Sequence, residues 1–379
     1  MDHTGHPGSI VRRGMNGPVM RSIGLVLLVF LASALFGPVW AASGLPLGDC
    51  SLETGLVGRT DIVFCEPWDN DNWFQNGYVA SGSPTSRTPV SPKHIPNASI
   101  ETNGCASGKC LKVSMKQFEA GALSIYWPLR NAGLEPQQLY MRYYLKLGPT
   151  WNNDGCDNVD GKPVYIDSGG KFPGLADVRE DNDPGGQCGF GGEPGDGVRC
   201  WSHRTGFTKC TVGSYSTRVC DTVPGAISRY YGYIYFYQQE GATGNSGLWD
   251  NDPWGQMTGR GGSCRTEPTN LFCAVAKNLG ILVRERWYSL EQFIKMNTPG
   301  KADGVIRGWV DGKLAYEKTN MIFRVPGHEN LHVRTAWLDV YKGGVYGNCN
   351  DSEIWIDQMV LATDSPIGPL KAAPTTPAR

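Results

Sequence analysis

Tyr230-Tyr-Gly-Tyr-Ile-Tyr-Phe-Tyr-Gln238 is the stretch on which the fold turns. Side chains of a β-strand point alternately to its two faces. Tyr231, Tyr233, Tyr235 and Tyr237 therefore share one face, and Gly232, Ile234 and Phe236 the other. The second face is apolar and suits a core, while the first is a row of phenols. Tyrosine favours strands by propensity alone, so the run specifies a strand before it specifies a function. Residues 110–115, 139–147, 331–341 and 353–362 carry further strand patterns. Residues 305–310 and 313–317 flank Asp311-Gly312, a strong hairpin signal. Residues 287–297 fit a helix or a strand, and their neighbours favour a strand. With 50 glycines, 25 prolines and no long helical period, the chain reads as all-β. Many strands joined by Gly-rich turns predict a two-sheet antiparallel sandwich, a β-jelly roll whose edge or concave face holds a groove. Residues 149–161, 176–227 and 240–270 are expected to be long loops stapled by disulfides.

The chain has 379 residues. Arg12, Arg13 and Arg21 precede an apolar run over 23–36, and the small residues Ala41, Ala42 and Ser43 follow Pro38. This is the pattern of a signal peptide cleaved near Ala41. The run is shorter than the roughly 20 residues of a membrane span. The expected organisation is a signal peptide over 1–41, one β-domain over 42–365, and a disordered Pro/Ala/Thr-rich tail over 366–379. Twelve cysteines behind an export signal predict disulfides and a secreted or periplasmic protein. Cys105–Cys110 is the expected local pair, with Cys210–Cys220 and Cys264–Cys273 as further candidates. No C-x-x-C pair or Cys/His cluster points to zinc. A net charge of −1 lacks the basic stripe of a nucleic-acid binder. Any attraction for an anionic ligand must be local to a cleft. The expected state is a monomer with no nucleic-acid partner and, once the signal is removed, no membrane partner.

Asp167-Ser-Gly-Gly-Lys-Phe-Pro-Gly-Leu175 places Lys171 among three glycines and a proline, which let a backbone turn sharply and pass close to a ligand. A desolvated lysine exchanges protons, and a charged one binds carboxylate. Ser202-His203-Arg204, if extended, puts Ser202 and Arg204 on one face. Arginine grips a carboxylate through two parallel hydrogen bonds. Ser202 lacks a G-x-S-x-G context, which argues against a serine hydrolase. Taken singly, each feature has a bland reading: a loop lysine, a surface arginine, a half-buried aromatic strand. Together they describe a cationic, phenolic groove for an acidic sugar polymer.

Ser-Gly-Gly-Lys171-Phe-Pro-Gly-Leu, Ser202-x-Arg204 and Tyr233-x-Tyr235 together resemble polysaccharide lyase family 14 and its alginate and glucuronan lyase relatives. So do the run from Arg286 to Gly300, Trp309-Val-Asp-Gly312 and the run from Ile354 to Thr363. The resemblance spans residues 100–365. It implies a β-jelly roll and cleavage of polyuronates by β-elimination, with Lys171, Arg204, Tyr233 and Tyr235 as catalytic residues. Arg204 would neutralise the uronate carboxylate, while Lys171 and a tyrosine divide the roles of base and acid. Ser202, with Tyr231 and Tyr237 on the phenolic face, would bind substrate. The tyrosine pair also aligns two residues further on, at Tyr235 and Tyr237. Cys-bearing insertions after Lys171 and after Arg204 depart from the family's pattern.

Two other functions fit parts of the sequence. A non-catalytic carbohydrate-binding protein would stack sugars on the tyrosines and on Trp249 and Trp254. A glycoside hydrolase needs two carboxylates at a fixed separation, and here only Glu353 and Asp357 share a strand face. No cofactor is expected. Calcium is conceivable at the acidic segments 152–160 and 177–183, which match no EF-hand spacing. His94, His328 and His332 show no metal-ligand spacing. Asn97-Ala-Ser99 is a glycosylation sequon.

Overall fold

Alternating patterns become strands throughout the computed structural model, which describes residues 53–80, 88–159, 162–167, 169–177, 188–189, 194–209, 224–237, 280–342 and 347–370. In chain order the strands are β1 (Ile62–Glu66), β2 (Val79–Ala80), β3 (Ala98–Glu101), β4 (Cys110–Met115), β5 (Gly121–Pro128), β6 (Gln138–Leu147), β7 (Asp154–Val159), β8 (Lys162–Asp167), β9 (Gly169–Asp177), β10 (Trp201–Lys209), β11 (Ala226–Tyr235), β12 (Ile281–Val283), β13 (Trp287–Lys295), β14 (Gly304–Val310), β15 (Lys313–Met321), β16 (Thr335–Lys342), β17 (Gly347–Asn348) and β18 (Ser352–Ala362). Only short 3₁₀ turns accompany them among the described residues.

One sheet has the order β15-β14-β13-β6-β18-β4-β3, with β1 also paired to β18. The second has the order β12-β11-β10-β9-β16-β5-β2. Every pairing in these two sheets is antiparallel. The chain crosses between the sheets at β1–β2, β2–β3, β4–β5, β5–β6, β12–β13 and β15–β16, and by way of the strands β7, β8 and β17 at β6–β9 and β16–β18, the alternation of a β-jelly roll. One apolar cluster fills the space between them. Leu111, Met141, Leu145, Leu290 and Ile356 come from the first sheet, and Ile125, Phe172, Phe207, Ile234 and Leu338 from the second. Each such side chain contributes roughly 1.5–3 kcal/mol on burial.

Residues 287–295 are strand, as expected, and β14–β15 form the expected hairpin. Asp311 and Gly312 have φ of 51° and 75°, the left-handed pair that a two-residue hairpin turn demands. Three expectations change. The glycine-rich Lys171 segment is not a turning loop but strand β9. Within 149–161, β7 pairs with β8 and β17 in a small third sheet. Within 176–227, β10 and the start of β11 are central strands of the second sheet. Past Ala362 the chain stays docked on the first sheet. Ile367 and Gly368 donate their N–H groups to Glu291, and Leu370 donates to the Tyr144 hydroxyl. The described domain thus reaches five residues beyond the expected boundary at 365.

Cys105–Cys110 is bonded as expected. Cys156–Cys349 and Cys188–Cys200 are further disulfides, and Cys65 is disulfide-bonded as well. The signal segment 1–41, the pairs Cys210–Cys220 and Cys264–Cys273, and Trp249 and Trp254 lie outside the described residues. No helix among the described residues is long and apolar enough to cross a membrane.

Candidate active site

The second sheet sets its outer face as the floor of an open groove of about 510 Å³. Four adjacent strands, β10, β9, β16 and β5, supply that floor, and cross-strand partners share a face. Arg204 on β10 lies opposite Tyr233 on β11 and Gly174 on β9, and Gly174 lies opposite Trp337 on β16. Asp339 pairs with Ser124 on β5, and Tyr341 with Lys171.

Lys171 reaches the groove only because β9 is bulged. Arg204 pairs with Gly174 and the next residue, Thr205, with Phe172. Two steps of β9 therefore match one step of β10, and Pro173 is the extra residue. Strict alternation from Gly174 would put Phe172 in the groove and Lys171 in the core. The bulge exchanges them. Phe172 stacks on Phe207 in the core at 4.5 Å between ring centroids, while Lys171 lines the groove. The two tight glycines of β9 serve strand packing. A Cβ at Gly174 would collide with the backbone of His203 and Arg204, and one at Gly170 with the Tyr341 carbonyl and the Phe207 ring.

The Lys171 ammonium nitrogen lies 4.2 Å from the Tyr341 ring centroid and 4.8 Å from that of Tyr233. It has no hydrogen-bond or ion-pair partner among the described residues. Burial, then the nearby Arg204 charge, lower its pKa from 10.5 to about 7, with Asp339 opposing them. Arg204 is 4% exposed. Its guanidinium carbon lies 4.2 Å from the Trp337 ring centroid, and its Nη1 donates to Asp339 at 2.7 Å. Its Nε and Nη2 are buried without an acceptor, a costly state for donors so close to a groove. The Tyr233 and Tyr235 hydroxyls are hydrogen-bonded to each other at 3.0 Å.

The structure thus brings Lys171, Arg204, Tyr233 and Tyr235 together. Ser202 and Tyr237, expected to bind substrate, stand outside the groove lining. Ser202 shares the strand face of Arg204 but is sealed, its hydroxyl donating to the Gly189 carbonyl beneath the Cys188–Cys200 disulfide. Tyr237 falls in a turn beyond the end of β11, against Gly197, so the phenolic row is shorter than the sequence pattern. Tyr231 occupies β11 opposite Gly206. Arg204 is already committed to Asp339 through one nitrogen, which leaves Nε and Nη2 for any two-pronged contact.

Sequence reasoning missed Trp337, Asp339 and Tyr341, which alternate on β16, and Ser124, whose Oγ accepts from Trp337 Nε1 at 3.0 Å. It also missed His94 and Asn97 on the groove's far wall. Of the acidic segments, residues 160 and 178–183 lie outside the described residues. Asp177 ends β9, fully buried, and accepts the His332 N–H. Residues 154–159 are strand β7. Cys188, Asp196 and Cys200 cluster, but the cysteines are bonded to each other and Asp196 pairs with Arg199.

No protein-family model matches the chain, and no curated protein matches it either. Among solved structures it is similar to a PL-14 alginate lyase from Aplysia kurodai, at 15% identity and a TM-score of 0.45, over 76% of this chain and 98% of that one. It is similar to the alginate lyase Aly36B, at 15% identity and 0.44, over 76% and 94%. It is also similar to an endo-β-1,4-glucuronan lyase from the fungus Trichoderma reesei, at 11% identity and 0.36, over 70% and 87%. These are distant likenesses.

Proposed function

We propose that the chain is a secreted polysaccharide lyase that cleaves a uronate-containing polymer by β-elimination. The observation that carries this reading is Lys171: an amine with no acceptor among the described residues, held over two tyrosine rings beside Arg204 in an open groove. β-Elimination removes the proton on C5, next to the uronate carboxylate. Its electron pair forms the C4–C5 double bond, the C4–O bond breaks, and the departing oxygen takes a proton. In this reading the neutral Lys171 amine accepts the C5 proton, and the Tyr233–Tyr235 hydroxyl pair delivers the other to the leaving oxygen. The Arg204 charge stabilises the electron density that builds on the carboxylate. Asp339 holds Arg204 in place.

A retaining or inverting hydrolase is poorly served by this groove. Asp339 is its one carboxylate among the described lining residues, and it is paired with Arg204. Glu353 pairs with Lys112, and Asp357 accepts the N–H groups of Ala106 and Ser107. Both stand on β18 of the other sheet.

The test is a panel of alginate, glucuronan and related polyuronates, followed by the ultraviolet absorbance of an unsaturated uronate. The wild-type chain is expected to produce it on at least one polymer, with kcat/KM rising as pH passes about 7 and Lys171 loses its proton. Lys171→Ala is expected to lose about 100-fold or more. No absorbance on any polymer would sink the proposal.

A further inference from the structure

We infer that Gln292, together with Thr205 and Tyr143, is a positioning group that aims Lys171 into the groove by holding the Pro173 bulge from inside the core. The inference rests on the reading of Lys171 as the reacting amine. Proline has no N–H, so the bulge residue offers the structure only its carbonyl, and that carbonyl points inward. Three side chains converge on it: the Thr205 hydroxyl at 3.1 Å, Gln292 Nε2 at 3.3 Å and the Tyr143 hydroxyl at 3.4 Å. The two hydroxyls are also bonded to each other, so one donates to the carbonyl and the other supports it. They come from β10, β13 and β6, so both sheets grip one backbone atom of β9.

The orientation of Gln292 is itself fixed. Its Oε1 lies 2.7 Å from His203 Nδ1, and His203 Nε2 lies 3.1 Å from the Tyr316 hydroxyl. Burial keeps His203 neutral, with a pKa lowered to about 4. A neutral imidazole has one donor and one acceptor nitrogen. Gln292 Oε1 can only accept, so His203 Nδ1 carries the hydrogen and Nε2 accepts from Tyr316. The amide nitrogen of Gln292 is thereby turned to Pro173. Gln292, His203, Thr205, Tyr143 and Tyr316 are all buried. Replacing both partners of a buried hydrogen bond by apolar groups of the same shape can be nearly neutral or stabilising, so stability alone does not call for this polar chain. Its position under the bulge that exchanges Phe172 and Lys171 gives it a purpose. With those donors gone, β9 relaxes toward regular alternation, and Lys171 withdraws from the groove.

The direct test is trace acetylation of the folded full-length chain at pH 7, with Lys171 modification read by mass spectrometry against exposed Lys116. Gln292→Leu, Thr205→Val and Tyr143→Phe are compared with wild type, and each is checked for cooperative unfolding. The expected result is a fivefold or greater fall in the Lys171:Lys116 labelling ratio in Gln292→Leu and in at least one of the other two. Smaller changes in all folded variants would overturn the inference. Should Gln292→Leu fail to fold, the other two, which remove single hydroxyls, decide it. Should none of the three fold, the chain is purely structural and the inference fails. On a polyuronate that the wild type cleaves, the variants are expected to lose kcat at least tenfold with KM within threefold. If the wild type cleaves none, the lyase reading falls, while labelling still decides whether Gln292 positions Lys171.

Discussion

Asp339 is the residue on which the electrostatics of the groove balance. It neutralises a buried arginine and supplies the negative charge that opposes the lowering of the Lys171 pKa. Asp339→Asn removes both effects. Arg204 then carries an uncompensated buried charge, and breaking one side of a buried pair costs about 3–5 kcal/mol. The Lys171 amine, relieved of its only raising influence, should titrate below its present value of about 7. Denaturant unfolding and the pH midpoint of Lys171 acetylation measure the two effects separately. A midpoint that moves up, or stability that stays put, would show that Asp339 does not govern the site. If turnover is detected, its rise with pH should shift toward acid along with the labelling midpoint.

At the scale of elements, β9 shows what the sequence could and could not disclose. The parity of the tyrosine run was legible because alternation is local: Tyr233 and Tyr235 pack against Lys171 and Arg204, Ile234 against the core. The same rule applied to β9 would have buried Lys171, because a bulge is a relation between two strands and is written in neither alone. The glycines were legible as special but not as strand. Their function is close approach to β10 and β16, whose carbonyls occupy the space of a Cβ. Trp337, Asp339 and Tyr341 went unassigned because the pairing of β16 with β9 joins segments some 160 residues apart. Ser202 had the right parity, and only the fold of the Cys188–Gly189 segment over it shows that it is sealed. Gly174→Ala tests this reading of β9. Its Cβ would meet backbone atoms of His203 and Arg204, which cannot yield as a flexible side chain would. The expected cost is about 1–3 kcal/mol, accompanied by displaced Arg204. Urea unfolding that matches wild type would show that β9 and β10 have room to spare.

Across the whole molecule, the groups that set stability against pH are divided between the sheets. Glu66 on β1 accepts from the Trp68 N–H and from Asn76. Asp357 on β18 clamps the Cys105–Cys110 loop through the N–H groups of Ala106 and Ser107. Burial pushes both carboxyls up to about 7. A folded pKa above the unfolded one means that the folded state binds the extra proton. The stability these groups contribute is full below about pH 4 and is lost as pH rises through 7. His203 acts in the opposite sense: its folded pKa is lowered to about 4, so its contribution is lost as pH falls from 6.5 to 4. Lys171, lowered to about 7, adds stability only as pH climbs from 7 toward 10.5. Between pH 4 and 6.5 two carboxyls oppose one histidine, and the net slope is downward. The loss ends near pH 7, where the Lys171 contribution begins to rise. Stability should therefore have a shallow minimum near the pH at which the Lys171 amine becomes neutral. Replacing both carboxyls, Glu66→Gln with Asp357→Asn, should remove a decline on the order of 2–4 kcal/mol between pH 4 and 7. The pH dependence of Lys171 labelling should be unchanged, because neither carboxyl lines the groove. Urea melts of wild type and double variant at half-unit pH steps decide the point. A wild-type curve that rises steadily from pH 4 to 7 would mean that these carboxyls are ionised in the fold and that His203 alone sets the slope.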